Sequence, residues 1–216
     1  MRTTRREMLG MSLALGVTTS LKAETPTQTP VQVQLPKART EGGKPLMQAL
    51  NERKSTRAFK TEKLPEQVLS NLLWAAWGTN RPDGKRTAPS AMNRQEIDVY
   101  VVSAEGTYMY DAKAHALKPV AAGDLRAQTG GQPFVKDAPL NLVYVADTAK
   151  MSGGSEQAVW YGAAAGFISQ NVYLYCASEG LATVVRGMVD RDVLARALSL
   201  RPEQRIVLSQ TVGYPG

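Results

Sequence analysis

A single cysteine, Cys176, and a single histidine, His115, are the scarcest residues of this 216-residue chain. One cysteine excludes a disulfide within the chain, and the two residues together cannot assemble a Cys/His zinc site. A Ser-His-Asp triad would have to use His115. That residue lies in Asp111-Ala-Lys-Ala-His115-Ala, which reads as a hairpin turn with an exposed histidine. No GxGxxG, Walker loop, HExxH or GxSxG occurs. In such a chain, hard chemistry falls to a bound cofactor. Nucleic-acid motifs are missing too. The formal charge is +7, but Arg2, Arg5, Arg6 and Lys22 against Glu7 place +3 of it in residues 1–23, leaving +4 for the rest. So mild an excess fits solubility and an anionic ligand rather than nucleic acid.

With 43% hydrophobic and 21% charged residues, the chain suits one domain with a substantial core. Its start is different in character. Thr4-Arg5-Arg6-Glu7-Met8-Leu9-Gly10 precedes an apolar stretch, residues 11–17, far short of the roughly 20 residues of a membrane span. Residues 1–23 therefore read as an export signal, and the adjacent arginines point to the twin-arginine route and a periplasmic protein. Ala23 is a candidate last residue of the signal, although Leu21 is large for such a site; an uncleaved segment would remain as a membrane attachment. Residues 24–43 are rich in Pro, Thr and Gln and read as a linker with little structure of its own.

Beyond it, periodicity predicts helices over Pro45 to Arg53, Pro65 to Trp77, Gln157 to Glu179 and Arg191 to Leu198. Pro65 suits a first helical turn and Gly78 a terminating position. Apolar runs predict strands over Ile97 to Val102, Leu140 to Ala146, Leu181 to Val185 and Arg205 to Val212, with a hairpin formed by Thr107–Tyr110 and Ala116–Val120. Helices and strands alternate without a βαβ rhythm, which favours an α+β fold: a central, mostly antiparallel sheet with packed helices. The centre of the longest helix, Gly162-Ala-Ala-Ala-Gly166, would let another element approach closely. Asp190 and Asp192 read as helix-capping charges. Trp74, Trp77, Trp160, Tyr161, Tyr173 and Tyr175 read as core or interface.

Three segments could carry chemistry. Arg53-Lys54-Ser55-Thr56-Arg57 gathers three cations and two hydroxyls, either a phosphate site or a solvated basic turn. Pro89-Ser90-Ala91-Met92-Asn93-Arg94-Gln95 offers donors and acceptors for the edge of a heterocycle, or simply initiates the following strand. Gln170-Asn171, and further on Arg186-Gly187 after a strand, present polar groups that serve the core or face a ligand, with Gly187 allowing close approach.

Taken in order, the RxSxR-F element, the LLxAAxG helix, the APSAxNxQ loop, the APLxLVYVAD strand and the QNxYLxAxxxGLxTV helix-turn-strand resemble the nitroreductase-like flavoprotein family over roughly Lys44 to Pro215. The hairpin YMYDAKAHAL is similar to that of the SagB-type dehydrogenase branch. The resemblance implies a homodimer with two FMN at its interface. It implies that Arg53, Lys54, Ser55 and Arg57 hold the phosphate and ribityl chain, and that Pro89, Ser90 and Asn93 reach the flavin of the partner subunit. Gln132 is then the polar residue near the pyrimidine edge, while Arg186 and Gly187 direct backbone N–H groups at flavin N5 and O4. The implied activity is ping-pong oxidoreduction through N5 of a small-molecule substrate, either nitro/quinone-type reduction or dehydrogenation, with an unidentified electron donor or acceptor. The alternative is a non-catalytic flavin or small-molecule binding protein on the same fold. Two departures stand out. Val212-Gly-Tyr-Pro-Gly216 lacks the cation many members carry after the last strand, which rests phosphate binding on the first motif, with Arg86 as a candidate addition. Arg186 replaces a frequent Glu, and a cation beside the flavin would favour its anionic reduced form and a higher potential.

Overall fold

The computed structural model describes residues 31–216. The export-signal segment 1–23 and the first residues of the expected linker, 24–30, lie outside it. From residue 31 onward the chain forms β1 (Val33–Gln34), α1 (Leu46–Glu52), α2 (Glu66–Trp77), β2 (Ile97–Ser103), β3 (Gly106–Asp111), β4 (Ala116–Ala121), β5 (Leu140–Asp147), α3 (Gln157–Glu179), β6 (Ala182–Arg186), α4 (Arg191–Ala197) and β7 (Gln204–Gly213). The seven strands make one sheet in the order β1-β4-β3-β2-β5-β7-β6, and every pairing in it is antiparallel. This is the α+β architecture that the alternation of elements predicts.

Strand β5 is buried along its whole length, as expected of a central strand whose sequence, Leu-Asn-Leu-Val-Tyr-Val-Ala-Asp, is apolar on both faces. On one face Leu142, Tyr144 and Val99 pack against Leu72, Leu73 and Trp77 of α2 and Ala165, Ile168 and Val172 of α3. Full burial of each large aliphatic side chain contributes about 1.5–3 kcal/mol. Val143, Val145 and Tyr100 cover the other face with Leu194 of α4. Gly180, at φ +70°, ends α3 in the left-handed conformation and donates its N–H to the Cys176 carbonyl. Asp190 caps α4 by accepting from Val193 N at 3.1 Å.

Two expectations are corrected. Part of the expected linker is structured: Val33 and Gln34 pair with Leu117 and Ala116, and Leu35 is buried. Docking on an edge strand satisfies backbone groups that an isolated polar segment would leave to water. His115 is no free loop histidine either. Its Nδ1 lies 2.9 Å from the Tyr110 hydroxyl and its Nε2 lies 2.8 Å from Ser70 Oγ and 3.1 Å from the Pro36 carbonyl. Ser70 itself donates to that carbonyl at 2.6 Å. The neutral ring, protonated at Nε2, satisfies all these groups. Burial lowers the imidazole pKa, against a smaller raising effect of the Pro36 carbonyl. The ring thus bolts the segment after β1 to α2 and to the β3–β4 hairpin.

Candidate functional site

The cap of α1 opens into an extended segment that runs along the free edge of β6. Thr56 donates its N–H to the Thr183 carbonyl at 2.9 Å. The next residues cross to the end of β7, where Phe59 bridges Pro215 and Lys60 N–H reaches the Tyr214 carbonyl. Between this segment, α3 and β6 lies a cleft of about 1110 Å³, lined by Lys54, Ser55, Arg57, Tyr173, Thr183 and Gly216 among others. Lys54 and Arg57 are exposed and make no side-chain hydrogen bond or ion pair among the described residues. The Arg53 guanidinium is laid over the Tyr173 ring at 5.1 Å. Lys44, also at the cleft, is neutralised by Glu52 at 2.5 Å, and that contact, with a second hydrogen bond from Gln48, lowers the Glu52 pKa. Of the motif singled out in the sequence, Lys54, Ser55 and Arg57 line this cleft, and Arg53 stands beside it on the Tyr173 ring.

Edge strand β6 carries a second feature. Residues 183 and 185 turn their backbone groups outward: Thr183 accepts from Thr56 N, and Val185 N–H donates to the Tyr173 hydroxyl at 2.9 Å. Residues 182, 184 and 186 lie opposite Gly213, Thr211 and Ser209 of β7. By the alternation of an antiparallel ladder, the next outward amide is that of Gly187. It has no hydrogen-bond partner among the described residues, and a Cβ built on Gly187 would meet nothing within 4 Å. An open donor therefore follows the cationic segment along the same strand edge.

The Arg186 side chain goes elsewhere. Its guanidinium is buried, with Nη1 donating to the Thr129 carbonyl at 2.7 Å and Nη2 to Asn141 Oδ1 at 2.9 Å, while Nε finds no partner among the described residues. With no carboxylate beside it, burial pulls its pKa down to about 10. The cation expected beside a flavin is instead a core bolt that does not line the cleft. It fastens the stretch before β5, helped by Ser209 Oγ on Thr129 O at 2.8 Å and Asn141 Nδ2 on Val135 O at 2.9 Å. Gly130 packs so closely on Arg186 that a Cβ there would collide with the guanidinium. Gln132, two residues on, is thereby held near the end of β6, half-buried at the start of a short 3₁₀ turn.

The loop with Pro89, Ser90 and Asn93 sits at the opposite end of the sheet. It leads into Ile97, which pairs with Ala146, itself opposite Arg205; Thr183 at the cleft is opposite Val212. Arg205 and Val212 lie seven steps apart along the strand, roughly 23 Å. Arg86 locks this loop, donating to Gln95 Oε1 at 2.8 Å and to the Trp77 carbonyl at 3.0 Å while stacking on Trp77. It is therefore no addition to the cleft of its own chain. Ser90 Oγ accepts from Gln95 N, and Met92, Asn93 and Gln95 all adopt positive φ near +50°. Such strain in non-glycine residues costs on the order of 1 kcal/mol or more each and concentrates at functional loops. Gln170 is exposed on α3, and Asn171 lines a separate groove between α1, α2 and α3; neither lines the cleft. Tyr173 and Asn141 were missed from sequence. The only available signal for Tyr173 was a polar tip on a helix face shared with small residues.

Comparison with known proteins agrees with this fold. Residues 50–214 match the model of the nitroreductase family. The chain belongs to that family. A nitroreductase-type protein of Methanocaldococcus jannaschii is 28% identical over 168 residues, covering 72% of this chain and 85% of the relative. The crystal structure of a nitroreductase-type protein from Ralstonia eutropha superposes with a TM-score of 0.83 at 44% identity, covering 90% of this chain and 93% of the other. One from Desulfovibrio desulfuricans, solved in complex with FMN, shares the fold with a TM-score of 0.60 at 22% identity, over 81% of this chain and 88% of its own.

Proposed function

We propose that this nitroreductase-family chain is an FMN-dependent oxidoreductase that works as a homodimer. The observation that carries the reading is the single strand edge that joins a cluster of uncommitted cations to the unpartnered Gly187 amide. The residues suit the cofactor: Arg53, Lys54, Ser55 and Arg57 offer charge-assisted donors to a phosphate, and Gly187 offers a fixed N–H to a ring acceptor. Bound there, FMN would supply two-electron redox chemistry between a donor and a second substrate. Arg57 and Ser55 orient the phosphate end, and the edge of β6, braced by Arg186 and Asn141, fixes the Gly187 donor. Gln132, held by the same brace, would face the polar edge of the ring.

Dimerisation accounts for the distance between the two polar ends of the sheet. The 86–95 loop cannot reach the cleft of its own chain, but a second copy would bring one. Surface chemistry supports this: Leu46, Met47 and Leu50 of α1 and Val159, Trp160 and Phe167 of the adjoining α3 are exposed, and Gly162 and Gly166 border open space. The hairpin of β3 and β4 supports the SagB-type branch, and with it a dehydrogenase. Arg5-Arg6 and the apolar stretch after them support export by the twin-arginine route, outside the reach of cytoplasmic nicotinamide donors; replacing both arginines by lysine should keep the protein inside the cell.

The decisive test is the visible spectrum of purified protein with the released chromophore identified. Stoichiometric FMN is the expected result; a colourless protein that refuses added FMN would overturn the proposal. Bound FMN that no donor reduces would instead identify a flavin-binding protein without turnover.

A further inference from the structure

Tyr173 sits where the cationic segment, the long helix and the edge strand meet. Its hydroxyl accepts the Val185 N–H at 2.9 Å and lies 2.8 Å from Ser55 Oγ. Its ring carries the Arg53 guanidinium at 5.1 Å. Three groups at the cleft, two side chains of the phosphate motif and one strand amide, are therefore organised by one phenol. The directions of the hydrogen bonds matter. A phenol has one proton to give, and among the described residues Ser55 Oγ is its only acceptor. Once Tyr173 donates to Ser55, the serine's own proton is free to point into the cleft. With the phenol donating, the chain runs from Val185 N–H to Tyr173 O–H to Ser55 O–H and ends on a donor. Successive hydrogen bonds polarise one another, so the terminal donor is strengthened towards an anion. Stacking on the ring restrains Arg53, a long side chain that would otherwise lose rotamer freedom on binding.

We infer that Tyr173 is a positioning residue for anion recognition: it presets Ser55 and Arg53 as phosphate donors, and so gives this chain its preference for the phosphorylated flavin. The inference rests on the FMN reading of the cleft.

The test compares FMN with riboflavin, which has the same ring and ribityl chain but no phosphate, by titration of wild type and Tyr173→Phe. The phenylalanine keeps the ring under Arg53 and removes only the hydroxyl. The expected result is a loss of about tenfold in FMN affinity with riboflavin affinity unchanged, the size of one hydrogen bond to a charged group. In a Ser55→Ala background the same substitution should have no further effect on the ratio, because the chain it feeds has been cut. An equal loss for both flavins would mark a packing role and overturn the inference, as would an unchanged ratio. Wild type that binds neither flavin would remove the FMN reading, and this inference with it. Wild type that binds both equally would spare the flavin site and overturn the role of Tyr173 alone.

Discussion

At the β6 end of the sheet, Lys54 and Arg57 are exposed and uncommitted, and the Gly187 amide is open. At the end where β2 begins, polar side chains are spent on one another: Arg86 on Gln95 and Trp77, Gln95 on Asn93 and Gly84, Ser90 on the Gln95 amide. The first end is relaxed and chemically unsatisfied; the second is satisfied and conformationally strained. Exposed, unpaired cations are free to meet an anionic ligand. Strained, self-bonded loops present a fixed surface, and here that surface is Pro89, Met92 and Asn93, all exposed. On the dimer proposed above, the two ends would form a donor cleft and a lid supplied by different copies of the chain.

The largest effect is expected from emptying the cleft of charge. Arg53→Ala with Arg57→Ala removes two charge-assisted contacts of about 1.5–3 kcal/mol each, so FMN affinity should fall by about 100-fold or more in calorimetry. Thermal stability should change little, because neither guanidinium serves the core.

Separating the two ends comes next. Phe167→Glu places a carboxylate on the exposed apolar face of α3, and the cost of burying it, at least about 2 kcal/mol, should convert dimer to monomer in sedimentation. FMN affinity should fall with dimer content. A monomer with full FMN affinity would break the comparison.

A smaller effect concerns His115, remote from both ends. Its folded-state pKa is depressed, so the stability it contributes is full above its unfolded value of about 6.5 and is lost as pH falls through the lower folded value. Wild type should therefore lose more stability than His115→Gln when denaturant unfolding at pH 7.5 is compared with pH 5. The smallest is Met92→Asn, which suits φ +55° better and should stabilise the loop end by about 0.5 kcal/mol in the same assay.

What could be read from the sequence followed the range of each interaction. The bounds of α3 were legible because a long, mostly apolar and proline-free stretch ends at Gly180, and strand β5 because its apolar run is long. The cationic segment was legible because its members are neighbours in the chain. Pairings across distance were not. Val33 meets Leu117, His115 meets Pro36, and Arg186 meets Thr129 and Asn141 only in the folded sheet. A two-residue strand in a Pro/Thr/Gln-rich stretch carries too little periodicity to be seen. Tyr173 looked like any interface aromatic, and only the fold shows its hydroxyl between Ser55 and Val185.

Mixed dimers test whether two chains share each flavin site. Subunits carrying Arg53→Ala and Arg57→Ala would be co-expressed with differently tagged subunits whose 86–95 loop is disabled by Pro89→Ala, Ser90→Ala and Asn93→Ala. FMN would then be counted in the purified heterodimer. If the cleft of one chain is completed by the loop of the other, each parent homodimer binds poorly and the heterodimer holds one FMN tightly. A heterodimer as poor as its parents, or a loop variant that binds FMN as wild type does, would contradict the account.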